Sequence, residues 1–238
     1  SDLEVWLDQW RLRTVLEKTS DEYLVLFKSL LSSSGHTLTK VERVIISSVV
    51  PAVTPAIALV TRKLTGREPL VVTHELNAGL NPDYPVPGEL GADLLANAVA
   101  AWHRHKTGAI VVDFGTALTF TAVSNAGEIL GVSIAPGLRS AVRALSTNTA
   151  QLPNVDLVPP PSALPRTTVH SIQGGIVYGY VGLVKEVVSR MKSEMDGEPV
   201  TIATGGLAEV IAPHSDAIDE VRTWHPLEGL LRLAELNP

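Results

Sequence analysis

The chain has 238 residues, 45% of them hydrophobic, and a formal net charge of −6. It has no cysteine, which excludes disulfides and thiolate metal sites and is typical of a reducing compartment. No run of 18 apolar residues predicts a membrane span, and the first residues lack the pattern of a signal peptide. No cluster of Lys and Arg is long enough to follow a nucleic-acid backbone. We therefore expect a soluble, cytoplasmic protein that binds neither membranes nor nucleic acids.

Short apolar runs and helical patterns alternate in the N-terminal part of the chain. Residues 44–50 form a β-branched run before Pro51, which predicts a buried strand and a turn into a helix. Residues 70–73 predict a second strand. Glycine and proline crowd residues 77–91 and predict a surface loop, and residues 92–105 carry apolar side chains at helical spacing.

The middle of the chain has the strongest β pattern. Three short runs predict strands: residues 109–112, 117–123 and 129–134. The break that begins at Asp113 is too short for a crossover helix, and residues 124–127 have the composition of a hairpin loop. The sequence therefore predicts an antiparallel meander, followed by a helix after Pro136-Gly137.

A long helix is predicted over residues 168–195, beyond a proline-rich connection. Its apolar stripe consists of Ile172, Ile176, Tyr180, Leu183, Val187 and Met191. A second stripe consists of Gly175, Gly179 and Gly182. Each glycine inside a helix costs about 1 kcal/mol relative to alanine. The pattern indicates either close packing of another backbone or a loosely formed helix.

The turn Asp113-Phe114-Gly115-Thr116 is the first candidate binding element. It follows a buried strand, so its backbone N–H groups and the Thr116 hydroxyl can converge on phosphate oxygens, with the Asp113 carboxylate aimed at a metal ion. The alternative is an Asx-turn in which Asp113 bonds to its own backbone.

The segment Thr204-Gly205-Gly206 is the second candidate. It joins a predicted strand at residues 200–203 to a helix that begins near Leu207, and the glycine pair lets a nucleotide approach the backbone. The alternative is an ordinary strand-to-helix turn. Neither the Gly-x-Gly-x-x-Gly nor the Walker A pattern is present here, so a Rossmann or P-loop site is not supported.

The third candidate is Gly91-Ala92-Asp93, at the start of the predicted helix 92–105. A carboxylate is favoured electrostatically at a helix N-terminus, and Asp93 could act there as a general base. The alternative is a plain N-cap.

Together these motifs resemble one family, the type III pantothenate kinases, also described as the Baf or CoaX-like family of the acetate and sugar kinase/Hsc70/actin superfamily. The resemblance covers nearly the whole chain. It rests on Trp10-Arg11-Leu12-Arg13-Thr14, Thr19-x-Asp21-Glu22-Tyr23, Ile46-Ser47-Ser48-Val49-Val50-Pro51, Gly91-Ala92-Asp93, Val112-Asp113-Phe114-Gly115-Thr116, Ile134-Ala135-Pro136-Gly137, Leu152-Pro153, Thr168-x-x-Ser171-Ile172-Gln173-x-Gly175, Ala203-Thr204-Gly205-Gly206-Leu207-Ala208 and Leu227-Glu228-Gly229-Leu230.

The resemblance implies ATP-dependent phosphorylation of pantothenate to 4′-phosphopantothenate, with Mg²⁺ and a monovalent cation, K⁺ or NH₄⁺, by a homodimer. It implies a mixed α/β fold of two ribonuclease-H-like, actin-like ATPase halves, here residues 1–107 and 108–238. The implied roles are proton acceptor for Asp93, cation ligand for Asp113, ATP contacts for Gly115 and Thr116, adenosine packing for Gly205 and Gly206, and pantothenate binding for Tyr84, Gly91, Ala92, Asp93, Leu94 and Thr168.

Three features depart from the family pattern. The family opens with a strand and an Asp-x-Gly-Asn-Thr phosphate turn, and this sequence begins just after that point, so we expect that the first strand of the N-terminal half is missing. Leu94 stands where the family has arginine, and Val86 where it has asparagine or a similar polar residue. Two alternatives therefore stay open: a catalytically impaired, nucleotide-binding or regulatory homologue, and a kinase for another hydroxylated substrate.

Overall fold

A computed structural model describes residues 6–35, 38, 41–81, 83, 86–149 and 152–238. The chain forms two compact units. The first contains residues 1–73 with Gly91–Asp93 and Pro238, and the second contains residues 74–90 and 94–237. The division into halves at residue 107 stays a prediction.

In the first unit, helices α1 (Ser20–Ser33) and α2 (Thr54–Thr65) pack around Tyr23, with strands β1 (Ile45–Ile46) and β2 (Leu70–Val71) paired in parallel. Helix α1 begins with a capping box, in which Thr19 bonds to the Glu22 N–H and Glu22 bonds back to Thr19.

Both strands of the first unit are shorter than predicted. Beyond Ile46 the backbone turns, because the Ser48 hydroxyl accepts a hydrogen bond from the Val50 N–H at 3.1 Å. Thr54 in turn donates to Ser48 at 2.6 Å. Local side-chain bonds of this kind compete with strand pairing, so the β-branched run ends early.

The second unit is built on a five-stranded sheet with the order β5-β4-β3-β6-β7. Its strands are β3 (Ala109–Phe114), β4 (Ala117–Val123), β5 (Ile129–Pro136), β6 (Val200–Thr204) and β7 (Glu220–Val221). The first three form the predicted antiparallel meander, and β6 and β7 continue in parallel beside β3. This is the strand order of a ribonuclease-H-like half, and the predicted mixed α/β class is confirmed.

The central strand β3 is buried on both faces, and its side chains alternate between them. Ile110, Val112 and Phe114 belong to the core formed with helix α5 (Thr168–Glu194). The other face carries Ala109 and Val111, which cluster with Ala101 of helix α3 (Ala92–His105). Asp113 follows the same alternation and therefore lies on the α3 face of the sheet.

The remaining helices are α4 (Leu138–Asn148), α6 (Ala208–Ile211) and α7 (His225–Leu236). The helix predicted after Leu207 is a single turn, followed by a 3₁₀ turn at Ala212–His214, because Pro213 has no N–H to continue an α-helix. None of the helices in the described ranges is both long enough and apolar enough to cross a membrane.

Helix α5 has the predicted length but not quite the predicted face. Its buried side is centred on Val177, Val184 and Val188, while Ile176 and Leu183 lie at the edge of the core. The glycine stripe Gly175, Gly179 and Gly182 is open: apart from the neighbouring backbone of α5 itself, a Cβ added to any of them would meet no described atom within 4 Å. Among the residues that the structure describes, no backbone from outside α5 therefore packs closely on that stripe.

Candidate active site

Asp113 lies one residue before the end of the central strand, and its carboxylate is held by a buried amide. The side chain of Asn97, on α3, donates a hydrogen bond from Nδ2 to Asp113 Oδ2 at 3.0 Å. Asn97 lies one helical turn before Ala101, which packs on the same face of the sheet. The alternation of β3 and the helical period of α3 together bring these two polar groups into contact.

The two glycine-containing motifs predicted from the sequence lie side by side. Strands β3 and β6 are parallel and in register, with Asp113 opposite Thr204. Gly205 follows with a φ of +88°, and a Cβ at this position would lie 2.5 Å from Asp113 Oδ1 and 2.7 Å from the Phe114 carbonyl carbon. Only glycine allows the backbone of the second motif to approach the first so closely. Thr204 itself is buried, and its hydroxyl has no partner among the described residues.

A third glycine supports the exposed part of the turn, Gly115 and Thr116. A Cβ on Gly137, which precedes α4, would overlap the Thr116 carbonyl oxygen. Ser140 of α4 also donates to that oxygen at 3.3 Å. The chain before Gly137 is anchored in turn, since the Tyr180 hydroxyl donates to the Pro136 carbonyl at 2.7 Å.

Helix α7 packs against α3 directly behind Asn97. Gly229 allows this approach, because a Cβ there would overlap the Ala96 carbonyl oxygen. His225 is fully buried, and its Nε2 lies 3.1 Å from the carbonyl oxygen of Asn97. Burial lowers the pKa of His225 to about 4. The ring is therefore neutral at pH 7, and Nε2 must carry the proton because a carbonyl oxygen only accepts.

An ion cluster anchors the start of α7. Glu228 accepts hydrogen bonds from Arg222 at 2.7 Å and from Arg104 at 3.1 Å. Burial would raise the pKa of Glu228, but these two arginines lower it below its ordinary value. Because Arg104 belongs to α3, the cluster ties α3 to α7 a second time.

In the first unit, Gly91, Ala92 and Asp93 form the start of α3. The helix begins at Ala92, so Asp93 is its second residue and not its N-cap. Its side chain is exposed and turns back over Gly91, where an added Cβ would lie 2.6 Å from Asp93 Oδ1. An exposed carboxylate in the first turn of a helix is favoured by the helix dipole and can reach a reacting hydroxyl.

The other predicted site residues have different surroundings. Leu94 is buried, with 8% of its surface exposed, and Thr168 is exposed at the start of α5. Gly206 is exposed beside Gly205. Tyr84 lies outside the described residues. The structure thus brings together Asp113, Gly115, Thr116 and Gly205, and the roles assigned to all these residues stay predictions.

Sequence reasoning missed three residues around Asp113, namely Asn97, Gly137 and His225. A signal for Asn97 was present, because it is the one polar residue in the apolar run Leu94–Ala101. Gly137 was noted as part of a helix start and of a family motif, but not as a contact of the Asp113 turn. Nothing in the sequence near His225 indicates that it contacts a helix more than a hundred residues away.

Comparison with known proteins decides the family. A model described as type III pantothenate kinase matches residues 2–190. The chain belongs to the type III pantothenate kinase family. It is 44% identical over 236 residues to a type III pantothenate kinase of Geobacter sulfurreducens, with 99% of this chain and 92% of the relative covered. The type III pantothenate kinase of Pelobacter propionicus is 46% identical over 228 residues, covering 96% and 90%.

A solved structure also shares the fold of this family member. It is a crystal structure described as a Baf family transcriptional activator from Campylobacter jejuni, with a TM-score of 0.50 and 20% identity over 89% of this chain and 88% of the other. The suspected resemblance to this family is confirmed by the sequence matches, and the structural match supports the fold.

Proposed function

We propose that this protein phosphorylates the primary hydroxyl of pantothenate with ATP, giving 4′-phosphopantothenate and ADP. The observation that carries the proposal is the family membership of almost the whole chain, including the Asp113 turn and Gly205. The geometry supports it, because phosphoryl transfer asks a protein mainly for positioning and charge stabilisation. Backbone groups and one carboxylate are what the Asp113 turn offers.

Asp93 is the proposed general base. As the pantothenate hydroxyl oxygen attacks the γ-phosphorus in line, its proton passes to the Asp93 carboxylate. The new P–O bond forms while the bond from the γ-phosphorus to the β–γ bridging oxygen breaks, and ADP leaves with that electron pair. Asp93 is exposed in the first turn of α3, which supports this role.

Asp113 is the proposed ligand for a cation beside the phosphates. The described residues contain no group of three His, Cys, Asp or Glu side chains that could hold a metal ion by themselves. One carboxylate next to two glycines fits Mg²⁺ instead, since Mg²⁺ keeps several waters and binds through one or two carboxylates and the substrate phosphates. Bound Mg²⁺ would neutralise charge on the phosphates. A monovalent cation, K⁺ or NH₄⁺, is part of the same proposal.

The remaining roles are carried over from the family by position, with Leu94 standing where the family has arginine. Gly115 and Thr116 are proposed ATP contacts, and Gly205 and Gly206 are proposed to pack against adenosine. The proposed pantothenate contacts are Tyr84, Gly91, Ala92, Asp93, Leu94 and Thr168. A cytoplasmic location belongs to the proposal because the reaction consumes ATP.

A homodimer is also part of the proposal. The open glycine stripe of α5 leaves room for the backbone of a second copy. Replacing Gly179 with leucine should therefore weaken the dimer in analytical ultracentrifugation, while Gly131→Ala on strand β5 serves as a control in another open position. A dimer unchanged by Gly179→Leu would remove this surface from the proposal.

The direct test is ADP formation by the full-length protein with Mg-ATP and pantothenate, with and without K⁺. We expect turnover that requires pantothenate and increases with K⁺. ATP binding without turnover would reject the kinase and favour a nucleotide-binding or regulatory homologue. Turnover of another small alcohol, but not of pantothenate, would keep the reaction type and reject the substrate.

A further inference from the structure

Asn97 is a buried amide in an otherwise apolar stretch of helix. Only 1% of its surface is exposed, and its Oδ1 has no partner among the described residues. Burying an unpaired polar atom is unfavourable, and an apolar side chain would avoid that cost. Within the described part of the chain, the Asn97 side chain makes one hydrogen bond, the donation from Nδ2 to Asp113 Oδ2 at 3.0 Å. A buried amide with a single such contact points to a role at that contact.

We propose that Asn97 is a positioning residue for Asp113, orienting its carboxylate toward the cation that accompanies the nucleotide phosphates. The inference rests on the cation role proposed above for Asp113. Asn97 occupies the Oδ2 side of the carboxylate, while Oδ1 is directed to the backbone of Gly115 and Gly205. Hydrogen bonds to a ligating carboxylate hold its orientation and tune the metal.

The orientation of the amide follows from the same contact. An ionised carboxylate only accepts hydrogen bonds, so Asn97 must present Nδ2 and not Oδ1 to Asp113. This requirement leaves Oδ1 on the other side of the amide, where it is buried and has no partner in the ranges that the structure describes. The unfavourable burial of Oδ1 is thus a direct consequence of orienting Asp113.

Helix α7 prevents Asn97 from moving away. The neutral His225 donates from Nε2 to the Asn97 carbonyl oxygen at 3.1 Å. Gly229 places the α7 backbone against Ala96, one residue before Asn97. Helix α7 thus fixes the backbone segment of α3 that carries the Asn97 amide, on the side away from Asp113.

The test compares Asn97→Leu with Val99→Ala, a control that removes packing from a fully buried residue of the same helix. ADP binding is measured by calorimetry with and without Mg²⁺. In Asn97→Leu we expect the Mg²⁺-dependent part of ADP affinity to fall by about 10- to 100-fold. Affinity without Mg²⁺ and the KM for pantothenate should stay unchanged. Val99→Ala should lower the melting temperature without changing the Mg²⁺ dependence.

Several outcomes overturn the inference. A folded Asn97→Leu protein with the wild-type Mg²⁺ dependence would do so, and so would an equal loss in Val99→Ala. If Asn97→Leu does not fold, Asn97→Ala is measured in the same way, because alanine already surrounds this position on α3.

The matching Asp113→Asn variant separates this inference from the proposed function. Loss of the Mg²⁺ dependence in Asp113→Asn but not in Asn97→Leu would reject the positioning role alone. An unchanged Asp113→Asn protein would reject the cation role of Asp113 as well. Because binding of Mg-ADP is the readout, the test stands even if pantothenate is not the substrate.

Discussion

Asp113 and Asp93 are the two carboxylates proposed for the reaction, and their surroundings differ in almost every respect. Asp113 lies near the end of a buried strand, accepts a hydrogen bond from the buried Asn97, and lies against the backbone at Gly205. Asp93 is exposed in the first turn of a helix. A Cβ added to the nearby Gly91 would meet only the end of the Asp93 side chain and the side chain of Val49.

The difference corresponds to the two proposed roles. A cation ligand works best when its oxygens are already oriented, because no energy is then needed to reorganise it. A general base has to meet a substrate hydroxyl and then release the proton, which an exposed carboxylate can do. We therefore expect the Asp113 carboxylate to be held rigidly and the Asp93 carboxylate to be accessible to substrate. Each expectation can be tested separately.

The largest effect is expected for Asp93→Asn. The amide cannot accept the proton, so kcat should fall by about 10²- to 10⁴-fold. Because Asp93 is exposed, the free energy of unfolding should change by no more than about 0.5 kcal/mol. Steady-state kinetics and urea denaturation measure the two quantities. Loss of Mg-ADP binding in this variant would contradict the base assignment.

Gly205→Ala should have the next largest effect, this time on stability. The added Cβ would lie 2.5 Å from Asp113 Oδ1, and the backbone would keep a φ of +88°. Overpacking and a left-handed residue together should lower the free energy of unfolding by about 2–5 kcal/mol. Gly131→Ala, on the edge strand with open space around it, is the matched control and should change little. Equal effects of the two substitutions would show that the Asp113 turn is not closely packed.

The contrast also explains which features the sequence could predict. Strand β4 and helix α3 have the predicted bounds, because periodic patterns of apolar residues determine them locally. The surroundings of Asp113 depend on contacts between distant segments, such as that of Asn97 with His225, 128 residues apart. A single buried polar residue has no periodicity, so these contacts could not be predicted from the pattern.

The contacts that the predicted motifs make with other segments could not be predicted from the sequence either. Gly205 was chosen because it follows a predicted strand. The structure shows that position 205 requires glycine because its backbone lies so close to Asp113 and Phe114. Gly137 was recognised as a helix start and not as the support of Thr116. In both cases the sequence gives the position of a glycine, and only the packing of the sheet edge shows what would clash with a side chain.

The titration of His225, which lies behind Asn97, should change the free energy of unfolding by at most about 3 kcal/mol. Burial lowers its pKa from 6.5 to about 4, so the unfolded chain binds more protons than the folded one between these values. Stability from this source is complete above pH 6.5 and is lost as the pH falls toward 4, by about 3 kcal/mol in total.

The variant His225→Gln removes this titration while keeping an N–H group that can reach the Asn97 carbonyl oxygen. The free energy of unfolding of the variant should therefore depend less steeply on pH between 6.5 and 4 than that of the wild type. Although burial acts to raise the pKa of Glu228, Arg222 and Arg104 keep it below its ordinary value, so Glu228 titrates mainly below this pH range. Parallel pH curves would show that His225 is not held neutral.

The smallest effect is expected for Gly91→Ala, and it gives the sharpest comparison with Gly205→Ala. The two added Cβ atoms would meet a carboxylate oxygen at nearly the same distance, 2.6 Å from Asp93 and 2.5 Å from Asp113. At Gly91 the obstacle is the end of an exposed side chain, which can rotate by one staggered step. At Gly205 the backbone of Phe114 is in the way as well. Gly91→Ala should therefore cost less than about 1 kcal/mol in urea denaturation. A cost equal to that of Gly205→Ala would mean that Asp93 is held as rigidly as Asp113, and access would no longer distinguish the base from the ligand.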